Sequence, residues 1–274
     1  MVKGLDVFQE HFAAHSDQFI LIGGTAATLA MEQAGLDFRA TKDLDIVLHI
    51  EALTPAFGTT FWTFIETGGY EIREASDTGK PLLYRFQKPA DANYPFMLEL
   101  FCRSPDGILL ADGSRLTPIP FDEVVSSLSA ILLDNAYYNF MLAGRREGGG
   151  LTWIGEDRLI PLKAHAWLDL SARKERGERV DSKNIRKHGN DVLRLSQLLS
   201  PDPRIRVPLG VGEDLNRFLQ RLVADGTYSP ASLGIDNPLD EIIRRIAQAY
   251  GIRAQRAVRR HPKPHVISVY DILR

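Results

Sequence analysis

The chain has 274 residues, 44% apolar and 25% charged, with a net charge of −2, the values of an ordinary globular protein of one large or two modest domains. No apolar run approaches the ~18 residues of a membrane-spanning helix, and Met1 to Glu10 lacks the basic and then apolar layout of a secretory signal. A single cysteine, Cys102, excludes an internal disulfide and a thiolate-built zinc site, so a cytoplasmic protein is expected.

The first half alternates strand-like and helix-like segments, the pattern of an α/β domain. Gln18 to Ile22 is a short apolar run, Gly23-Gly24 follow as a tight turn, and Thr25 to Gln33 reads as a helix. Asp43 to Ile50 is apolar and β-branched and predicts a strand. Thr59 to Thr67 predicts a helix stopped by Gly68-Gly69. Tyr70 to Glu74, Leu82 to Gln87 and Phe96 to Cys102 predict further strands of the same sheet.

Beyond Pro118 and Pro120 the texture becomes helical, interrupted by Arg145 to Gly150, a loop or hairpin tip. Leu159 to Lys174, Asn184 to Leu199, Glu213 to Val223 and Leu239 to Tyr250 predict helices, and the last dozen residues predict an extended arm. The expected organisation is an α/β (α+β) protein: a mixed sheet with flanking helices over 1–120, then a mainly helical domain over 121–274. Charge divides at the same place. Residues 1–120 carry 9 Lys and Arg against 16 Asp and Glu, whereas 121–274 carry 24 against 19. An acidic half joined to a basic half suits an enzyme that holds cations in one lobe and a polyanion in the other.

Asp43 and Asp45 stand two apart in a strand, so both carboxylates project from one face and repel each other. A divalent cation with oxygen ligands, Mg²⁺ above all, resolves that conflict. Glu99 sits in the otherwise apolar run Phe96 to Phe101, where an unpaired buried carboxylate is costly; an acid sharing cations with Asp43 and Asp45 escapes the cost. Gly23-Gly24-Thr25 supplies the complement, a turn whose glycines let a ligand approach the N–H groups at a helix start. Neither the dinucleotide fingerprint nor the Gly-x-x-x-x-Gly-Lys-Ser/Thr loop is present. Together the turn, the Asp-x-Asp strand and the later acid suggest a nucleotide and two metal ions.

The stretch Ile22-Gly23-Gly24-Thr25-Ala26, followed by Arg39-Ala40-Thr41-Lys42-Asp43-Leu44-Asp45, resembles the nucleotidyltransferase fold of the DNA polymerase β superfamily. More narrowly it resembles the AbiEii/AbiGii toxin family, with its Gly-Gly-Thr-Ala turn and Arg-x-Thr-x-Asp-[Ile/Leu]-Asp. Leu162-Lys163-Ala164-His165-Ala166 is similar to that family's lysine-bearing helix, and Lys187 with Asp191 to its later Lys-x-x-x-Asp. Where the family often has Asp directly after that lysine, this chain has His188. The resemblance spans roughly 18–199.

That resemblance implies transfer of a nucleoside monophosphate from an NTP to an acceptor hydroxyl. It implies two Mg²⁺ ions on Asp43 and Asp45, with Glu99 as a further ligand and general base. Gly23, Gly24 and Thr25 would position the phosphates, with Arg39 and Thr41 alongside. Lys163 would neutralise the leaving pyrophosphate, and Lys187 and Asp191 would complete the cleft, Asp191 orienting Lys163. His165 and His188 read instead as surface or packing residues, Trp153, Trp167 and Tyr137-Tyr138 as core, and Cys102 as a buried neighbour of Glu99. The expected role is the toxin of a toxin–antitoxin or phage-defence pair, acting on tRNA or another macromolecule, with a cognate antitoxin as possible partner and no membrane. An aminoglycoside-type small-molecule nucleotidyltransferase and a non-catalytic nucleotide- or RNA-binding protein are the alternatives.

Overall fold

A computed structural model describes residues 2–49, 52–74, 81–101, 108–111, 114–116, 134–200 and 205–252. Among them, strands β1 (Phe19–Ile22), β2 (Asp43–Leu48), β3 (Glu71–Glu74), β4 (Pro81–Gln87), β5 (Met97–Phe101), β8 (Arg145–Gly148) and β9 (Leu151–Ile154) form one mixed sheet in the order β3-β4-β5-β2-β1-β9-β8. A separate hairpin joins β6 (Ile108–Ala111) to β7 (Ser114–Leu116). Eight α-helices accompany them: α1 (Leu5–Phe12), α2 (Gly23–Gln33), α3 (Pro55–Gly68), α4 (Asn135–Leu142), α5 (Glu156–Glu175), α6 (Ser182–Leu195), α7 (Leu209–Asp225) and α8 (Leu239–Ala249). No helix among the described residues is long and apolar enough to cross a membrane.

The sheet's centre is β2, antiparallel to β1 and parallel to β5. Side chains alternate across a strand, and here Leu44, Ile46, Leu98 and Leu100 are buried while Asp43, Asp45 and Glu99 keep partial exposure. Phe8 and Phe12 of α1 and Phe64 of α3 pack edge-on or tilted against one another and Phe19. This aromatic layer fixes one side of the sheet. Helix α3 starts at Pro55, ahead of the expected Thr59, and stops at the expected glycine pair: Thr54 accepts a hydrogen bond from the Phe57 N–H, Pro55 opens the first turn, and Gly69 closes the end at φ 61°.

The division at residue 120 does not separate sheet from helices. Strands β8 and β9 lie in the second half of the chain, yet β9 runs parallel to β1 and extends the first half's sheet. Arg145 to Gly150 is thus more than a loop. It contains all of β8 and a two-residue turn, Gly149-Gly150, with φ 59° and 79°, the double left-handed geometry that suits twisted hairpins. The hairpin then grips the next helix, because Arg146 donates to Glu156 in the first turn of α5. Gly155 leaves room for it: a Cβ there would meet the Arg146 guanidinium at 2.1 Å.

Helix α5 carries Pro161 in its interior, which removes the N–H that would bond the carbonyl of Asp157. Tyr250, just beyond α8, donates its hydroxyl to that carbonyl at 3.0 Å. The end of the described chain thereby completes the helix that reaches the site. Cys102 and the C-terminal arm lie outside the described residues.

Candidate active site

Strand β1 runs directly into α2 without the intervening turn expected from sequence. Ile22 is paired with Asp45, so the acid lies against the start of the helix. Gly23 has φ 63°, and a Cβ on it would stand 1.8 Å from Asp45 Oδ2. A Cβ on Gly24 would stand 2.5 Å from Thr41 Oγ1. Glycine is required at 23 by backbone conformation and by contact together. Thr25 is fully buried and donates its hydroxyl to the Asp43 carbonyl at 3.0 Å, which joins the start of α2 to the start of β2 and leaves its hydroxyl engaged with protein.

Asp45 and Glu99 are neighbours across the parallel β2–β5 pair, and Glu99 is also opposite Arg85 of β4. The expectation that Glu99 lacks a protein counter-charge needs correction, since Arg85 forms an ion pair with it. Asp45 is the strained acid. Burial, then the negative charges of Glu99 and Asp43, push its carboxyl up to about 7, against the opposing pull of Lys163 and Lys187. Crowded oxygen donors of this kind fit a divalent cation that also takes phosphate oxygens. Asp43 and Asp45 share the face that would hold it. Among the described residues, no group of three or more His, Cys, Asp or Glu side chains is spaced as a metal site.

The opposite wall comes from the helical half. Lys163 of α5 is only 5% exposed and donates to Asp191 Oδ2 at 2.9 Å. Arg39, from the segment leading into β2, donates to both oxygens of the same carboxylate, Nε to Oδ1 and Nη2 to Oδ2, each at 2.9 Å. Burial pushes the Asp191 carboxyl up, but Lys163 and Arg39 outweigh it and hold the group well below the usual carboxylate range. Asp191 therefore orients Lys163 and latches the helical half to the segment before β2. Burial, with Arg39 and Lys163 nearby, lowers Lys187. Burial and the adjacent lysines also drive His188 down to about 3.

These walls enclose a cavity of about 180 Å³, lined by Gly23, Gly24, Arg39, Asp45, Glu99, Lys163, Lys187 and His188, with Phe101, Leu159, Leu162 and Ala166 as its apolar part. Of the residues singled out from sequence, Thr25 and Asp191 support this lining through their hydrogen bonds, and Asp43 and Thr41 are not part of it. His165 is elsewhere, its Nδ1 2.7 Å from Asp214 Oδ2, an oxygen that also accepts from the Tyr137 hydroxyl. Trp153, Trp167, Tyr137 and Tyr138 are buried as expected. A larger cavity of about 450 Å³ beside Trp167, Arg186, Arg221 and Tyr228 contains none of the sequence candidates. Sequence reading missed Arg85 and set His188 aside; the pairing of Arg85 with Glu99 follows from strand register, which no local pattern carries.

No family model, no curated protein and no solved structure matches the chain.

Proposed function

We propose that the chain is a Mg²⁺-dependent nucleotidyltransferase, moving a nucleoside monophosphate from an NTP to an acceptor hydroxyl, and that it acts as an AbiEii-type toxin on tRNA or another macromolecule. The observation that carries this reading is the division of charge inside one cavity: Asp45 and Glu99 on the sheet, Arg39, Lys163 and Lys187 opposite, and the Gly23-Gly24 helix start between them. Its volume is below the ~300–1,000 Å³ of sites that enclose a drug-sized ligand. It therefore suits the phosphate chain and the part of the nucleoside next to it, with the acceptor and the rest of the nucleoside reaching outward.

In the proposed reaction the acceptor oxygen attacks the α-phosphorus, a new P–O bond forms, the bond from that phosphorus to the bridging oxygen breaks, and pyrophosphate leaves with the electron pair. The hydroxyl proton passes to the carboxylates of the sheet wall. Lys163 and Lys187 stabilise the charge that accumulates on the leaving group, and Asp191 keeps the Lys163 ammonium aimed. Gly23 and Gly24 allow phosphate oxygens to approach the free N–H groups of α2. Mg²⁺, held by Asp43 and Asp45, would neutralise the triphosphate and acidify the hydroxyl.

A binding protein without turnover is the second reading, favoured by the hold of Arg85 on Glu99. Incubation with Mg²⁺ and each α-labelled NTP, with and without total tRNA and beside Asp45→Ala, decides between them. Label transferred to RNA by the wild type and lost in the variant supports the first. NTP binding with no transfer to RNA, protein or an aminoglycoside supports the second. Growth arrest on induced expression, relieved by Asp45→Ala, tests the toxin role.

A further inference from the structure

The charged groups lining the cavity have ready roles with phosphate or metal; His188 is the uncharged polar side chain beside them. Its Nδ1 is shut away from solvent and has no hydrogen-bond partner among the described residues. A buried polar atom without a partner is uncommon in folded proteins. An imidazole in this position is best arranged with its proton on Nε2, since an unpaired acceptor is tolerated better than an unpaired N–H. It also stays uncharged at neutral pH, because burial and Lys163, Lys187 and Arg39 outweigh the attraction of Asp191.

The surroundings show what such a group would meet. Leu159, Leu162, Ala166 and Phe101 give the cavity an apolar side, which a bare phosphate chain cannot use. Position on α6 is well fixed: at Gly189 a Cβ would stand 2.5 Å from the Tyr228 ring, and Asp191, one turn on, is tied to Arg39 and Lys163.

We propose that His188 is a specificity-determining contact, a neutral donor to an uncharged acceptor on the ribose or base of the nucleotide whose phosphates face Lys163, Lys187 and Arg39. This rests on the nucleotide reading of the same cavity. It makes the site favour a nucleoside triphosphate over bare polyphosphate, because the nucleoside adds an acceptor for His188 beyond the phosphate oxygens that Lys163, Lys187 and Arg39 hold.

Calorimetric titration of the full chain with Mg²⁺ and each of ATP, GTP, CTP and UTP, and separately with Mg²⁺ and inorganic tripolyphosphate, tests it. His188→Ala is expected to weaken the preferred NTP roughly tenfold, the worth of one good hydrogen bond, and to leave tripolyphosphate within about twofold. His188→Gln, which keeps a donor, should recover part of the loss. Equal weakening of both ligands, or no weakening, overturns the proposal while leaving the nucleotide reading intact. A wild type that binds neither ligand overturns both. Since the readout is a ratio of two affinities measured on each folded variant, a general loss of stability does not imitate the result.

Discussion

Asp191 is the group on which the helical half and the site most depend. It is fully buried, accepts two hydrogen bonds from Arg39 and one from Lys163, and has Arg194 Nη1 3.8 Å from Oδ1. Asp191→Ala would leave Lys163 buried and without this partner, whereas Arg39, 24% exposed at its side chain, could turn toward water. Breaking a buried pair from one side costs about 3–5 kcal/mol. For a chain of this size that lowers Tm by about 6–20 °C at 2–4 °C per kcal/mol. Urea denaturation of wild type, Asp191→Ala, Lys163→Met and the double variant Lys163→Met/Asp191→Ala measures it. The double variant removes both charges, so its cost should fall short of the summed single costs by about 1–3 kcal/mol. The carboxyl titrates lower in the fold than in the unfolded chain, where it lies near ~3.9. Its contribution is therefore complete above that value and fades as pH falls through the lower folded one. The cost of Asp191→Ala should be level from about pH 5 to 8 and shrink below about pH 4. A loss under about 1 kcal/mol, or strictly additive single effects, would refute the idea of a charge-satisfied latch.

Three further predictions follow from neighbouring geometry. Gly23→Ala, with φ 63° and a carboxylate oxygen 1.8 Å from the new Cβ, should cost about 2–3 kcal/mol or more, while Gly24→Ala meets the Thr41 side chain, Oγ1 at 2.5 Å and Cβ at 3.2 Å, without a left-handed φ and costs less. Equal melting temperatures for Gly23→Ala and wild type would contradict this. Asp45 titrates at about 7 in the fold, above its unfolded value, so stability falls as pH rises between the two. Asp45→Asn should therefore stabilise the metal-free protein by about 2–4 kcal/mol at pH 8 and hardly at all at pH 4; an identical gain at both, by urea midpoints, would count against it. Tyr250→Phe should cost about 1–2 kcal/mol by stranding the Asp157 carbonyl. In a Pro161→Ala background, where the helix bonds that carbonyl itself, the cost should drop below about 0.5 kcal/mol, and an unchanged cost would show that the hydroxyl is not acting as the missing donor.

What the sequence disclosed follows from range. Strands β1, β2 and β5 are largely apolar runs, and the two-residue parity of β2 and β5 puts Asp43, Asp45 and Glu99 on polar faces. The Leu5, Phe8, Phe12 spacing of α1 was equally readable as a helix face and was passed over. Arg85 was not readable as a partner of Glu99, because a strand's register depends on its neighbours and a shift of one residue reverses its faces. The parallel placement of β9 beside β1 joins residues more than a hundred positions apart, beyond local periodicity. His188 sits among lysines and polar residues that read as a solvated face; its burial is set by packing against elements distant in sequence.

The hairpin that carries the chain back into the sheet bears on how the molecule can be divided. A fragment ending near residue 120 would lack β8 and β9 and expose the outer backbone of β1, a row of unpaired donors and acceptors flanked by Phe19 to Ile22. Such an edge invites strand addition from another copy. The amino-terminal piece by itself should elute from a sizing column as aggregates, and a well-behaved monomer would show that the returning hairpin is dispensable.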